Sequence, residues 1–193
     1  MTMPPANANR FHRMQSHLLR RLSRCCLLAL AFTNVCMAEE PAWFNSLQEI
    51  REQGVVMQEW ENSCAAASLA TVLTFGFYDP VSEQQIALDM LSNTSPNKVR
   101  TRGGFSMLDM KNYLVRRGYQ ADVFQDLSLE QLSVLKAPIV IIENMGVPHF
   151  VVFDQLSQGQ VSLADPAFGN RQIPAEAFQQ IWRRGIALWI NRK

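Results

Sequence analysis

The hydrophobic pattern of the chain changes period once. Cys64-Ala-Ala-Ala-Ser-Leu-Ala-Thr-Val-Leu-Thr-Phe75 is an almost continuous apolar run of good helix formers. Asn62 or Ser63 is a suitable N-cap and Gly76 a suitable stop, so a mostly buried helix is expected, with Cys64 in its first turn. A second helix is expected from Ser82 to Leu91, opening on a Ser-x-x-Gln capping pattern, and a third from Ser106 to Arg117, before Gly118. Between them lies a polar stretch through Gly103-Gly104, read as loop freedom before a helix. From Tyr119 the period shortens. Strands are expected over Tyr119–Phe124, Pro138–Glu143, Pro148–Asp154, Val161–Asp165 and Ile186–Ile190, with helices over Leu127–Leu135 and Ala175–Arg183. Helices first and an antiparallel meander second predict an α+β fold, and residues 39–57 read as an irregular or partly helical entry.

Composition narrows the class. The chain has 193 residues, 48% hydrophobic and 18% charged, which suits one globular domain. A net charge of +1 gives no electrostatic footprint for nucleic acid. The charge is unevenly placed, however: the first 38 residues hold five Arg and no acid, leaving 13 bases and 17 acids beyond them. The basic stretch ends at Arg24 and is followed by the apolar run from Cys25 to Val35, then Cys36-Met37-Ala38 and the acidic pair Glu39-Glu40. That order is expected of a secretory signal peptide over residues 1–38, cleaved after Ala38, with retention as an anchor the alternative. The apolar run falls short of the roughly 20 residues of a spanning helix, and no other run reaches that length, so no integral membrane span is expected. The domain is expected over residues 39–193, in the periplasm or secreted.

Removal of such a leader changes the cysteine arithmetic. Cys25, Cys26 and Cys36 leave with it, as do His12 and His17, so residues 39–193 hold one Cys, Cys64, and one His, His149. One Cys cannot close an internal disulfide, and one Cys with one His is a thin set for zinc. A lone thiol in an oxidising compartment is a liability unless it has a task.

The residues around it suggest the task. A thiol becomes nucleophilic at a helix N-terminus or beside an imidazolium; Cys64 has the first by position, and His149, opening a core strand, is placed to supply the second. Asp165, at the end of the neighbouring strand, is placed to hold the other imidazole nitrogen. Gln58, six residues before the thiol, is placed to set its amide beside the Cys64 N–H as an oxyanion hole. Trp60 has two readings, the wall of a substrate groove or packing against the entry segment.

The spacing of Gln58, Cys64-Ala65, His149-Phe150 and Asp165-Pro166, with Gly169 following, resembles the double-glycine leader peptidases of the papain-like superfamily. Ser63 and Ala65 stand where that family often has Asp and Gly. The resemblance covers nearly all of Val55 to Ile190 and is strongest to the stand-alone exported members, among them those encoded with functional-amyloid secretion systems. It implies a papain-like fold in which an N-terminal helical half packs the nucleophile helix on an antiparallel sheet. It further implies a cysteine peptidase that acts on a peptide or protein substrate linked to export and needs no metal or organic cofactor. In that reading Cys64 attacks, His149 serves as acid and base, Asp165 orients His149, and Gln58 binds the oxyanion. Two other readings stay open: a non-catalytic module capturing an export substrate, and an acyltransferase or transpeptidase using the same triad.

Overall fold

A computed structural model describes residues 46–192. The signal-peptide expectation for residues 1–38, with Cys25, Cys26, Cys36, His12 and His17, lies outside them.

The helical half contains α1 (Leu47–Glu52), α2 (Cys64–Thr71), α3 (Glu83–Ser92), α4 (Pro96–Arg102) and α5 (Met107–Arg116). Serine capping boxes open α1, α3 and α5, pairing Ser46 with Glu49, Ser82 with Gln85 and Ser106 with Asp109. The thiol helix α2 is built differently. Seven of its eight residues are buried, and four of those are Ala, so its backbone can approach the sheet closely. It runs into a π-helical turn at Val72–Gly76, where Leu73 is fully buried.

The second half contains β1 (Tyr119–Phe124), α6 (Leu129–Ser133), β2 (Ile139–Asn144), β3 (Val147–Ser157), β4 (Gln160–Asp165), β5 (Gly169–Pro174), α7 (Ala175–Ile181) and β6 (Trp182–Arg192). The six strands form one antiparallel sheet in the order β1-β6-β2-β3-β4-β5. Each face covers its own core. One joins Ile139, Phe150, Val152, Ala164 and Leu188 to the helices through Leu69, Leu73, Ile86, Met110 and Leu114. The other joins Val140, Val151, Phe153 and Leu163 to Leu132, Phe178 and Trp182 of α6, α7 and β6. Each Leu or Ile fully withdrawn from water contributes about 1.5–3 kcal/mol.

The α+β expectation holds, with three differences. The stretch read as a polar loop contains α4, closed by Gly103 in the left-handed conformation. The segment after Asp165 returns as the edge strand β5. The sheet is also not a simple meander, because β6 inserts between β1 and β2. No helix among the described residues is long and apolar enough to cross a membrane.

Two side chains set the thiol helix against the site. Ser68 Oγ donates to the Phe150 carbonyl at 3.2 Å, tying α2 to β3. Thr71 Oγ1 donates to the Ala67 carbonyl and accepts the Val56 N–H at 2.9 Å.

Candidate active site

Cys64 is the first residue of α2 and is half-buried. The N-cap, Ser63, turns its hydroxyl to the Trp60 carbonyl at 2.6 Å, and no side chain caps the helix. The first-turn N–H groups are therefore open to an anion at the thiol or at a carbonyl bound beside it.

The segment before α2 carries Gln58 and is pinned at three points. Val56 N–H donates to Thr71 Oγ1, Gln58 N–H to the Pro166 carbonyl at 2.8 Å, and Glu59 N–H to Glu83 Oε2 at 3.0 Å. The Gln58 amide donates from Nε2 to the Trp60 carbonyl at 3.2 Å, leaving its second N–H. Gln58 Oε1 is buried without a hydrogen-bond partner among the described residues.

His149 and Asp165 meet because β3 and β4 are antiparallel, which places the end of β4 beside the start of β3. His149 Nε2 lies 2.7 Å from Asp165 Oδ1, and the imidazole shares the wall of one cavity with Cys64. Nδ1 is thus the nitrogen left for the thiol. Burial disfavours the imidazolium, but the Asp165 carboxylate bonded to it and the neighbouring Cys64 outweigh this and raise His149 to about 9. For Asp165 burial works upward, and the His149 bond, the Ala167 N–H and Arg171 overcome it, so the carboxyl is held below its ordinary value. Asp165 is fully buried, with Oδ1 also accepting the Ala167 N–H at 2.9 Å and Oδ2 accepting Arg171 Nη1 at 3.0 Å.

Gln58, Cys64 and His149 line one cavity of about 190 Å³, with Glu61, Val147 and Phe168 among its other walls; Asp165 stands behind His149. A groove of about 430 Å³ adjoins it, sharing Glu61, Asn62 and Gly103, and Trp60 lines that groove while 44% exposed. Gly104 stands at the same wall: with φ +144, a Cβ there would lie 3.0 Å from the Asn62 carbonyl. A larger cavity of about 890 Å³ lies away from the thiol, against the π-helical turn, and touches the site only through Arg171. No group of three or more His, Cys, Asp or Glu placed to hold a metal ion occurs among the described residues.

The structure thus gathers the four residues singled out from the sequence. It adds Arg171, and it adds Glu61, Asn62, Asn144, Val147 and Phe168 as cavity walls. Arg171 had one sequence signal. A tight return after Asp165 would set the residue two past Gly169 diagonally across from the carboxylate, and the register Asp165↔Gly169, Leu163↔Arg171 does so.

A thiol at a helix start, an imidazole and a carboxylate on an α+β frame are the parts of papain-like cysteine peptidases, and residues 52–193 match the model of the Peptidase C39 family. The chain belongs to that family and is a cysteine peptidase. It is 34% identical to the "Probable functional amyloid protease FapD" of Pseudomonas fluorescens over 175 residues, covering 85% of this chain and 76% of that protein. It is 38% identical to the protein of the same description from Pseudomonas aeruginosa, covering 72% of this chain and 62% of the relative. Among solved structures it resembles a double glycine motif protease from an AMS/PCAT transporter, in complex with the leader peptide. That match has a TM-score of 0.60 at 26% identity and covers 72% of this chain and 91% of the other. The peptidase domain of Streptococcus ComA shares the fold at a TM-score of 0.61 and 20% identity, with coverage of 72% and 98%.

Proposed function

We propose that this chain is an exported peptidase that cleaves a peptide or protein substrate of a secretion system, with Cys64 as nucleophile. Cys64 sulfur, as thiolate, attacks the carbonyl carbon, and the resulting oxyanion is bound by the Cys64 N–H and the free N–H of Gln58 Nε2. The C–N bond breaks as the His149 imidazolium gives its proton to the leaving amine, leaving a thioester on Cys64. Neutral His149 then takes a proton from water as its oxygen attacks the thioester. The acid product departs and the thiolate–imidazolium pair returns. Asp165 keeps Nε2 occupied throughout, so that Nδ1 faces the reaction.

The observation that carries this reading is His149 bonded to a fully buried Asp165 while lining one cavity with Cys64 at the start of its helix. The unpaired Gln58 Oε1 also supports it, because a buried acceptor left without a partner costs about 1–3 kcal/mol and suits an amide placed for chemistry. The exposed side chains Val147 and Phe168 at the cavity and Trp60 in the groove favour apolar residues flanking the cleaved bond. The expected leader over residues 1–38 favours the periplasm, and the functional-amyloid descriptions of the relatives favour an amyloid component as substrate.

The test is incubation of the protein under reducing conditions with the secreted proteins of its own genetic neighbourhood, with Cys64→Ala in parallel and fragments read by mass spectrometry. Fragments that disappear in Cys64→Ala identify substrate and bond. Fragments that persist in the variant, or capture of a partner by both proteins with no cleavage, overturn the reading.

A further inference from the structure

We propose that Arg171 is a positioning residue of this site: its guanidinium holds the second oxygen of Asp165 and so fixes the carboxylate that orients His149. The proposal rests on the Cys64–His149–Asp165 reading above. Asp165 receives donors from three places: His149 on β3, the Ala167 N–H in the turn after β4, and Arg171 on β5. The first two share Oδ1. Arg171 alone serves Oδ2, and without it a fully buried anionic oxygen has no donor. A carboxylate gripped through one oxygen can turn about its Cβ–Cγ bond, whereas one gripped through both keeps its plane and hence the aim of the imidazole.

Charge leads to the same assignment. In the thiolate–imidazolium pair that the proposed mechanism starts from, the signs alternate along thiolate, imidazolium, carboxylate and guanidinium, and their sum is zero. Loss of Arg171 leaves this buried set with one net negative charge. The ionisable groups facing His149 are Cys64 in front, Asp165 behind with Arg171 beyond it, and Glu61 across the cavity. The local structure is built to hold the guanidinium. Gly169, at φ +75 and packed under the Arg51 carbonyl, turns β5 back along β4, and the Phe168 ring lies 5.5 Å from Arg171 Cζ. The Arg171 side chain is 31% exposed at the large cavity, so its replacement empties neither core.

The experiment follows alkylation of Cys64 by iodoacetamide as a function of pH in the full chain, read on the Cys64 peptide by mass spectrometry. Substrate cleavage and thermal unfolding are measured beside it. In Arg171→Gln the limbs of the Cys64 profile move to higher pH by about half a unit to one unit, because a nearby cation has been removed. Cleavage falls about tenfold. Arg171→Lys restores the limbs but not the full rate, since an ammonium keeps the charge without the planar fork over Phe168. Should Arg171→Gln fail to fold, Arg171→Met, which keeps an apolar stem over Phe168, reads the same shift. Unmoved limbs with wild-type cleavage, or cleavage lost only in step with folded fraction, overturn the proposal. If the wild type shows the profile of an ordinary free thiol, the reading of the site falls, and this proposal with it.

Discussion

Ser68 Oγ donates to the carbonyl of Phe150, so the residue one turn beyond Cys64 is bonded to the residue after His149. The two halves of the site are registered by this buried bond. Ser68→Ala removes about 1 kcal/mol and lowers Tm by about 2–4 °C. It is expected to cut kcat several-fold with little change in KM, because the thiol and the imidazole lose registry while the groove walls stay in place. Steady-state kinetics beside a thermal melt check this; a lowered Tm with wild-type kcat would show that the bond serves stability alone.

On the proposed mechanism, Gln58 acts on the transition state and not on ground-state binding. Gln58→Ala removes the proposed oxyanion donor and is expected to lower kcat about 10²–10³-fold with KM nearly unchanged. An equal rise in KM would instead assign Gln58 to substrate binding.

The segment carrying Gln58 depends on Glu83, which is buried and accepts the Glu59 N–H through Oε2. Glu83→Gln keeps an amide oxygen for that N–H and should retain most activity. Glu83→Ala leaves the N–H unpaired, at a cost of about 1–3 kcal/mol, and should lower kcat. Comparison of the two variants by kinetics and urea unfolding reads the anchor directly; equal activity of both would detach Glu83 from the placement of Gln58.

His149 gives the pH dependence its sign. The imidazolium persists to about 9, so cleavage should decline above that pH as the proton for the leaving amine is lost. Raising the value from 6.5 also stabilises the fold: the contribution is complete below about 6.5 and disappears as pH climbs through about 9. Asp165→Asn removes the carboxylate that raises the imidazole, so the alkaline limb should move to lower pH. An unmoved limb in Asp165→Asn would mean that another group sets it.

Gly169 tests the floor beneath Asp165. A Cβ at this position, with φ +75, would lie 2.7 Å from the Arg51 carbonyl oxygen. Gly169→Ala therefore combines left-handed strain with a backbone clash, and about 2 kcal/mol or more of stability should be lost. Denaturant unfolding with an unchanged m value would register it as a lower midpoint.

The sequence disclosed elements whose burial leaves a period. The Ala-rich helix at Cys64 and the apolar strands around Ile139 and Val151 announce themselves because one face or both are withdrawn from water. Pro96–Arg102 has no buried residue, so α4 left no hydrophobic trace, although Ser95-Pro96 and Gly103 frame it as a cap, a first-turn proline and a stop. Gly169–Pro174 is a half-exposed edge strand whose polar Asn170, Arg171 and Gln172 read as loop. The position of β6 between β1 and β2 is a long-range pairing that local pattern does not encode. At the site, Cys64 and His149 stood out by rarity and Gln58 and Asp165 by spacing. The cavity walls Val147 and Phe168 carried no such mark.

That insertion of β6 makes the frame of the site depend on the last described strand. β2, the partner of the strand bearing His149, has β6 as its other neighbour, and β1 pairs in the sheet with β6 alone. A nascent chain stopped before Trp182 holds every residue of the site, yet two strands with open edges and a sheet in two pieces. The thiol is synthesised early, and the frame that aims the imidazole at it closes only when the eleven residues of β6 arrive. A chain that lacks β6 is therefore expected to be inactive, and the unpaired edges of β1 and β2 are where it would aggregate.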